Sequence, residues 1–360
     1  MTIQRAGNDS TQLQVDVLNV YNGITEERAR EIYREEYEKI IEFTQEAKQT
    51  TIQRVCELEN RVIPKITSIE KGLEFFSNPD FQFLLIEAQK TAARSERPTD
   101  YDLLSELLIH RVKNDTDREK RLGIKKAVEI VDSISDEALL GLTILHSVST
   151  FTPTSGDMNS GLDVLNGLFE KLLYAELPTG GRWLDHLDLL GTIRVDSFQN
   201  LKPICEFYSE QLDGYVCAGI SKESEDFNNA INILASINVS KDFLVDNIIN
   251  PGFVRLNIPN QNSINTISRV IEVNQQKISI PLSEHEIAKL KEILLLYNKD
   301  KKLIQNVKQR FSEEWEKRKT LRLLKKWWDK IPHAVTITEV GKVLAHANAQ
   351  RCDNSLPPLN

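Results

Sequence analysis

The spacing of apolar and polar residues divides the chain into a short alternating segment and a long series of amphipathic helices. Residues 2–21 alternate between apolar and polar positions, which is the period of a β-strand. Gly7-Asn8-Asp9-Ser10 is typical of a turn between two strands. Two short strands bury too little apolar surface to fold alone. We therefore expect residues 1–23 to form a β-like tail that assembles copies of the chain through Gln4, Gly7, Ser10, Leu13, Gln14, Val15 and Val17.

A long helical stalk is predicted for residues 24–76. Apolar residues recur at intervals of one or two helical turns, three or four or seven or eight residues, between residues 26 and 63, namely at Ala29, Tyr33, Tyr37, Ile40, Ala47, Val55, Leu58 and Val62. Because such a helix is far longer than the mean of about 11–12 residues, helix–helix association is at least as well favoured as an ordinary surface helix. Thr44 and Thr51 interrupt the apolar row, so the pattern is not that of a strict coiled coil. Pro64 is expected to end or kink the helix.

Shorter amphipathic helices follow in residues 77–196. Asn78-Pro79 is typical of a capping residue followed by the first position of a helix. The apolar positions predict helices over residues 80–95, 99–112, 116–132, 135–150, 159–175 and 182–191. Since most of the loops between them are short, we expect this region to form a helical bundle.

Residues 197–350 show a more mixed pattern and are predicted to form a mainly helical C-terminal domain. The predicted elements are strands at 215–220 and 253–258, a helix that begins at a Ser283–Glu286 capping box, a helix over 301–331, and a strand and a helix within 336–349. Residues 351–360 are expected to be a disordered tail. The predicted fold class is therefore mainly α, with a short N-terminal β tail, a long amphipathic helix, and an irregular helical body with minor β elements near the C-terminus.

Composition supports a helical protein and excludes few functions. The chain has 360 residues but only 15 glycines and 12 prolines, which disfavours a turn-rich β fold. A net charge of −8 argues against extensive coating of nucleic acid. The four cysteines are widely spaced, no signal peptide is evident, and the apolar runs are too short to span a membrane. We therefore expect a soluble cytoplasmic protein with reduced thiols.

No arrangement of residues predicts a catalytic, metal or cofactor site. The six histidines form no metal-binding motif, and the cluster Asp185-His186-x-Asp188 lacks a third ligand fixed by spacing. Gly180-Gly181-Arg182 lacks the other residues of a phosphate-binding loop. Cys205 and Cys217 are better interpreted as core thiols than as nucleophiles. We therefore predict no catalytic residues, no metal and no cofactor, and we favour a non-enzymatic protein over an enzyme.

One charged segment, residues 317–330, is a candidate anion-binding surface. It interleaves basic residues with tryptophan, a combination that binds phosphate backbones or anionic membranes. The candidate anion-binding residues are Lys319, Arg322, Lys325, Lys326 and Trp327. The alternative, which we favour, is a helix whose apolar stripe is buried and whose other face is solvated. The acidic residues Glu313, Glu314 and Glu316 weaken the positive charge of the segment.

Two short patterns resemble known bacterial proteins. Gln4-x-x-Gly7-Asn8-Asp9-Ser10-Thr11-x-x-Gln14 resembles the tail of many uncharacterised bacterial proteins. Gly23-Ile24-Thr25, Ala29-Arg30-Glu31-Ile32 and Asn78-Pro79-Asp80-Phe81-Gln82 are similar, in this order, to an uncharacterised helical family of that group. The segment Thr338-x-Val340-Gly341-x-x-Leu344-Ala345 is similar to the Leu-Thr-x-x-Gly ending of abortive-infection alpha proteins, although Ile337 stands where leucine is usual. The resemblance implies a bacterial, cytosolic, self-associating protein of a kind often suspected in anti-phage defence, and it implies no catalytic residues.

Three functions remain open at this point. The first is a non-enzymatic, homo-oligomeric interaction protein whose partners are its own copies and a phage or host protein. The second is an effector that binds nucleic acid or perturbs membranes through residues 317–330, and the third is a hydrolase or nuclease with an unrecognised site. The uncovered apolar face of the N-terminal segment favours the first.

Overall fold

The computed structural model describes residues 26–113, 117–273 and 276–359, which are mainly α-helical, as the sequence predicts. The chain divides into two compact units, Met1–Arg54 and Val55–Asn360. The predicted β-like tail and its seven assembly residues lie outside the described residues, so that part of the prediction stays a prediction. These seven are Gln4, Gly7, Ser10, Leu13, Gln14, Val15 and Val17.

Thirteen α-helices lie within the described residues. They are α1 (Glu26–Thr67), α2 (Pro79–Arg94), α3 (Pro98–Lys113), α4 (Arg118–Ile130), α5 (Asp136–Thr150), α6 (Met158–Leu172), α7 (Arg182–Leu189), α8 (Ile204–Gln211), α9 (Glu225–Ser236), α10 (Glu284–Leu295), α11 (Lys301–Glu316), α12 (Lys319–Trp328) and α13 (Glu339–Cys352). Short 3-10 turns occur at Gly72–Ser77, Lys241–Phe243 and Gln261–Thr266. The helices predicted between residues 77 and 196 are confirmed, with small shifts at their ends.

Short antiparallel strands accompany the helices of the second unit. They are β1 (Ile193–Asp196), β2 (Ile220–Ser221), β3 (Leu244–Asp246), β4 (Phe253–Leu256), β5 (Ser268–Val273), β6 (Gln276–Pro281) and β7 (Ala334–Ile337). Strand β1 pairs with β7, with Ile193 opposite Ile337. Strand β4 lies between β2 and β3, and β5 and β6 form a hairpin.

Several helices begin where the sequence places a capping side chain. The Asn78 side chain accepts a hydrogen bond from the Asp80 amide, with Pro79 at the first helical position. The Ser135 hydroxyl accepts from the Ala138 amide at the start of α5. Ser283 and Glu286 form the predicted reciprocal capping box of α10. Each cap satisfies amide groups that have no partner inside the helix, so local sequence alone sets these boundaries.

Helix α1 continues one turn beyond the predicted end. Pro64 lies inside the helix, which ends at Thr67. A proline removes one backbone hydrogen bond and crowds the preceding turn. Val62 and Ile66, on either side of Pro64 and on one face, are both buried. The apolar surface that they bury holds the last turn in helical form and outweighs the local preference of proline.

The first hydrophobic core combines residues from both ends of the second unit. Helix α13 packs against α3, α4 and α5, and α12 packs against α6. Gly341 lets the first turn of α13 approach the chain just before β1, because a Cβ there would lie 2.0 Å from the Thr192 carbonyl oxygen. The core therefore does not follow the predicted domain boundary between residues 196 and 197, since the C-terminal helices return to the bundle.

A second, smaller core is built mainly from residues 220–297. Its buried members include Ile220, Leu234, Leu256, Leu290 and Ile293. Helices α9 and α10 supply one part of this core and the β2–β4–β3 sheet supplies another. The strand predicted at residues 253–258 is confirmed as β4, whereas only the end of the segment 215–220 is extended. The preceding residues form a turn whose carbonyl groups, at Cys217 and Ala218, accept hydrogen bonds from the Asn247 and Asn250 side chains.

The single helix predicted over residues 301–331 is two helices, because α11 ends at Glu316 and α12 begins at Lys319. Arg318 adopts an extended backbone conformation between them. Its Nε donates to Asp163 at 2.6 Å and its Nη2 donates to the Asn159 carbonyl at 3.1 Å. The Trp315 indole N–H donates to the Leu321 carbonyl across the break. These long-range contacts stabilise the interruption, which a periodic apolar pattern cannot reveal.

The chain after residue 351 also differs from the predicted disordered tail. Helix α13 extends to Cys352, and the Gln350 side chain donates to the carbonyl groups of Leu356 and Pro357. Leu359 is buried in the first core. Polar and apolar contacts with α13 thus order these residues. Among the described residues, no helix is both long and apolar enough to cross a membrane.

Candidate functional site

An apolar row on α1 is exposed within the described part of the first unit, residues 26–54. None of residues 26–53 is buried, although apolar side chains recur along this part of the helix. The exposed large ones are Tyr33 (73%), Tyr37, Ile40 (58%), Ile41, Phe43 (63%) and Ile52. Exposed apolar side chains at this spacing on one helix are typical of a surface that packs against another helix.

The two threonines that interrupt the row satisfy their own hydroxyl groups. Thr44 Oγ1 donates to the Ile40 carbonyl at 2.7 Å, and Thr51 Oγ1 donates to the Ala47 carbonyl at 2.9 Å. Each threonine therefore makes its polar bond within the helix and needs no polar partner from outside. Tyr33 and Tyr37 stack with nearly parallel rings, 6.3 Å between centroids. The row is thus more apolar in effect than its sequence indicates.

The five candidate anion-binding residues of α12 do not form one surface. Lys325 makes an ion pair with Glu316 at 2.6 Å, and this hydrogen bond raises the pKa of the Lys325 ammonium. Trp327 is 8% exposed, and its indole N–H donates to the Pro178 carbonyl at 2.7 Å. Lys319, Arg322 and Lys326 are exposed, and none of them makes an ion pair within the part of the chain that the structure describes. Trp327 is therefore part of the core, and three cations remain on the solvated face.

Three histidines that the sequence leaves far apart meet in the core. His110, His146 and His346 are each at most 3% exposed, and the His346 ring lies 5.6 Å from that of His110 and 5.4 Å from that of His146. Burial lowers the pKa of all three, to about 3 for His146 and about 4 for His346. All three rings are therefore neutral at pH 7. Sequence reasoning missed this cluster because 200 residues separate His146 from His346.

The hydrogen bonds of this cluster define one direction of donation. His346 Nε2 lies 2.9 Å from the Pro357 carbonyl oxygen and must donate to it. The neutral His346 ring then accepts at Nδ1 from His146 Nε2, at 3.2 Å. His146 Nδ1 in turn accepts from the Thr150 hydroxyl, at 3.3 Å. Protonation of either ring adds a buried charge and turns an accepting nitrogen into a donor, so the chain of bonds holds only while both are neutral.

The other sites considered in the sequence have structural roles. His186 Nε2 accepts a hydrogen bond from the Ser135 amide at the start of α5. Gly180 adopts a positive φ of 73° in the loop before α7. Burial raises the pKa of the Cys217 thiol to about 12 and also raises that of Cys205, which disfavours a reactive thiolate at either position. Among the residues described, no three His, Cys, Asp or Glu side chains are grouped to hold a metal ion.

The described residues define a mainly helical protein in which α1 carries an exposed apolar row. Comparison with known proteins adds a family. A family model described only as ":-like" matches residues 23–357, so the chain belongs to that family, whose description states no activity. The matched region begins at residue 23, the last residue of the predicted N-terminal tail. No curated protein and no solved structure gives a significant match.

Proposed function

We propose that this chain is a homo-oligomeric interaction protein without enzymatic activity. Copies assemble through residues 2–21 and through the apolar row of α1 between Tyr33 and Ile52. The exposure of that row is the observation that carries the proposal. Burying a large apolar side chain contributes roughly 1.5–3 kcal/mol, so covering six of them on each copy offsets the cost of association.

A second copy of the chain is the occupant that the row fits best. Tyr33, Tyr37, Ile40, Thr44, Ala47 and Thr51 follow one another at alternating intervals of four and three residues. This is the heptad spacing by which helices of identical sequence pack side by side. Ile41 and Phe43 widen the row beyond a narrow seam, and the predicted tail lies directly before it in sequence. Tail and helix would therefore act together in one assembly.

The biological setting that we propose is defence against phage in the bacterial cytoplasm. It is supported by the resemblance of residues 4–14 to the tail of uncharacterised bacterial proteins and of residues 338–345 to abortive-infection alpha proteins. In this setting the assembled chains recognise a phage or host protein. A plaque assay in bacteria that carry the gene, compared with the variants below, tests whether protection requires assembly.

Loss of assembly is the expected result when the tail or the helix row is altered. Light scattering of the full chain should give a multiple of 41.2 kDa. A chain that starts at Gly23, and a full chain with Tyr37→Glu and Ile40→Glu, should each give a monomer, because charges on the row oppose its burial. Circular dichroism should show that both keep their helical content.

The matched control adds the same charges to the opposite side of the same helix. Gln49 and Gln53 are exposed and lie away from the row. Gln49→Glu with Gln53→Glu should leave the oligomer intact. A monomeric full-length chain would contradict the proposal. If the oligomer survives truncation, the tail is not an assembly surface. If it survives Tyr37→Glu with Ile40→Glu, the helix row is not an assembly surface.

A further inference from the structure

A cleft of about 500 Å³ lies beside the end of α12 and is not used by the proposed assembly. Its apolar walls include Leu177, Pro178, Trp183, Leu323, Trp327 and Ile331. This volume lies within the range of about 300–1,000 Å³ that is usual for small-molecule sites. The mainly apolar lining has the character of a ligand site.

The two tryptophans of the cleft are held by the segment 178–180, which also lines it. The Trp327 indole N–H donates to the Pro178 carbonyl at 2.7 Å, and that of Trp183 donates to the Gly180 carbonyl at 2.9 Å. Their rings lie 5.8 Å apart, tilted by 33°. Because both indole donors are satisfied by backbone, the rings offer the cleft only apolar surface. The apolar part of the site is therefore pre-formed.

A glycine on α5 makes room for this arrangement. A Cβ atom at Gly141 would lie 2.6 Å from the Trp183 ring and 3.0 Å from Pro178. No side chain larger than hydrogen fits there without moving the ring. Three separate elements, α5, α7 and α12, thus fix the position of the two rings.

Two lysines without an acidic partner line the same cleft. Lys326 and Lys330 are exposed, and neither makes an ion pair with any residue that the structure describes. The nearby cations Lys325 and Arg318 do have acidic partners, because Lys325 pairs with Glu316 and Arg318 pairs with Asp163. Glu176 is the single carboxylate in the lining, so the side chains of the cleft carry a net positive charge.

We infer that this cleft binds a small amphipathic carboxylate. Its apolar body lies against Trp183 and Trp327, and its carboxylate pairs with Lys326 and Lys330. Both ammonium groups are exposed, so the carboxylate exchanges their water for ionic hydrogen bonds, whereas an apolar body alone makes none. A carboxylate adds charge-assisted hydrogen bonds at the edge of an apolar surface, where they are stronger than in open water. The inference rests on this cleft and does not depend on the proposed assembly.

The test compares octanoate with 1-octanol, which has the same number of carbon atoms but no charge. The intrinsic fluorescence of the full chain reports binding, because two of its four tryptophans line the cleft. Octanoate should cause a saturable change, and 1-octanol should bind at least about tenfold more weakly, because it lacks the charge-assisted bonds. Equal binding of the two would overturn the assignment of a carboxylate. Absence of a saturable change with octanoate would overturn the site itself.

Paired charge variants locate the binding on the surface. Lys326→Gln with Lys330→Gln should weaken octanoate binding at least about tenfold and leave binding of 1-octanol unchanged. The control, Lys319→Gln with Arg322→Gln, removes two cations of the same helix that do not line the cleft, and should leave octanoate binding unchanged. Glu176→Gln should strengthen octanoate binding. If the control weakens binding as much as the first pair, a diffuse attraction of anions replaces the site, and the inference fails.

Discussion

Acidification from pH 7.5 to pH 4.5 is expected to lower the free energy of unfolding by about 5 kcal/mol through two buried histidines. Burial is the main cause that lowers the pKa of His146 from 6.5 to about 3, and that of His346 from 6.5 to about 4. Both side chains are at most 3% exposed, so solvent screens this effect little. The loss is comparable to the total stability of many proteins, about 5–15 kcal/mol.

The free energy of unfolding falls with acid because the unfolded state binds protons more readily than the folded state. The unfolded chain takes up protons on these rings as the pH falls below about 6.5, while the folded protein keeps them neutral down to about pH 3 to 4. Lowering the pH through this range therefore stabilises the unfolded state relative to the folded state. The contribution of the two rings is fully present above pH 6.5 and is lost as the pH falls toward the folded-state values. His110, whose pKa burial also lowers, acts in the same direction.

Urea denaturation at several pH values between 7.5 and 4.5 measures this effect. His146→Gln keeps a neutral donor and acceptor but cannot be protonated, so its stability should fall less steeply with acid than that of the wild type. His285→Gln is the control, because His285 is exposed at the start of α10 and should leave the slope unchanged. Equal slopes in the wild type and in His146→Gln would show that the buried ring does not control acid sensitivity.

Arg255→Met is expected to lower the free energy of unfolding by about 2–5 kcal/mol. Arg255 is 2% exposed, and its guanidinium donates to the carbonyl groups of Leu256, Ile258 and Gly156. It also lies over the Tyr215 ring, 5.3 Å from the ring centre. A methionine fills similar space but leaves three carbonyl groups without this donor. The Leu256 carbonyl keeps the Ile258 amide as a donor, so the loss of the donor to the Ile258 and Gly156 carbonyls sets the expected magnitude.

A second arginine in the same unit supplies the comparison. Arg269 is about 41% exposed at its side chain and pairs with Glu286, so Arg269→Met should cost no more than about 1 kcal/mol. Arg255→Lys should fall between the two, because an ammonium group lacks the planar fork that reaches several carbonyls. Urea denaturation at pH 7.5 compares the three. Equal losses for Arg255→Met and Arg269→Met would contradict the structural role assigned to Arg255.

Local sequence determined most helices of this protein. Amphipathic periodicity and caps such as Asn78, Ser135 and Ser283 act between residues only a few positions apart, because a helix is closed by bonds between neighbouring turns. The mainly α fold class could be predicted for the same reason. The uncovered row of α1 was also visible in the sequence, but its exposure was not, because a buried and an exposed stripe have the same spacing.

Only the tertiary structure decided where α1 and α11 end, and which side chains distant in sequence meet. Burial of Val62 and Ile66 carries α1 past Pro64, and the contacts of Arg318 with α6 separate α11 from α12. The histidine cluster and the cleft between Trp183 and Trp327 join residues more than one hundred positions apart. Such contacts depend on the path of the whole chain, and their free energies are comparable to local helix preferences. Sequence periodicity therefore determined the elements, and long-range packing decided the sites.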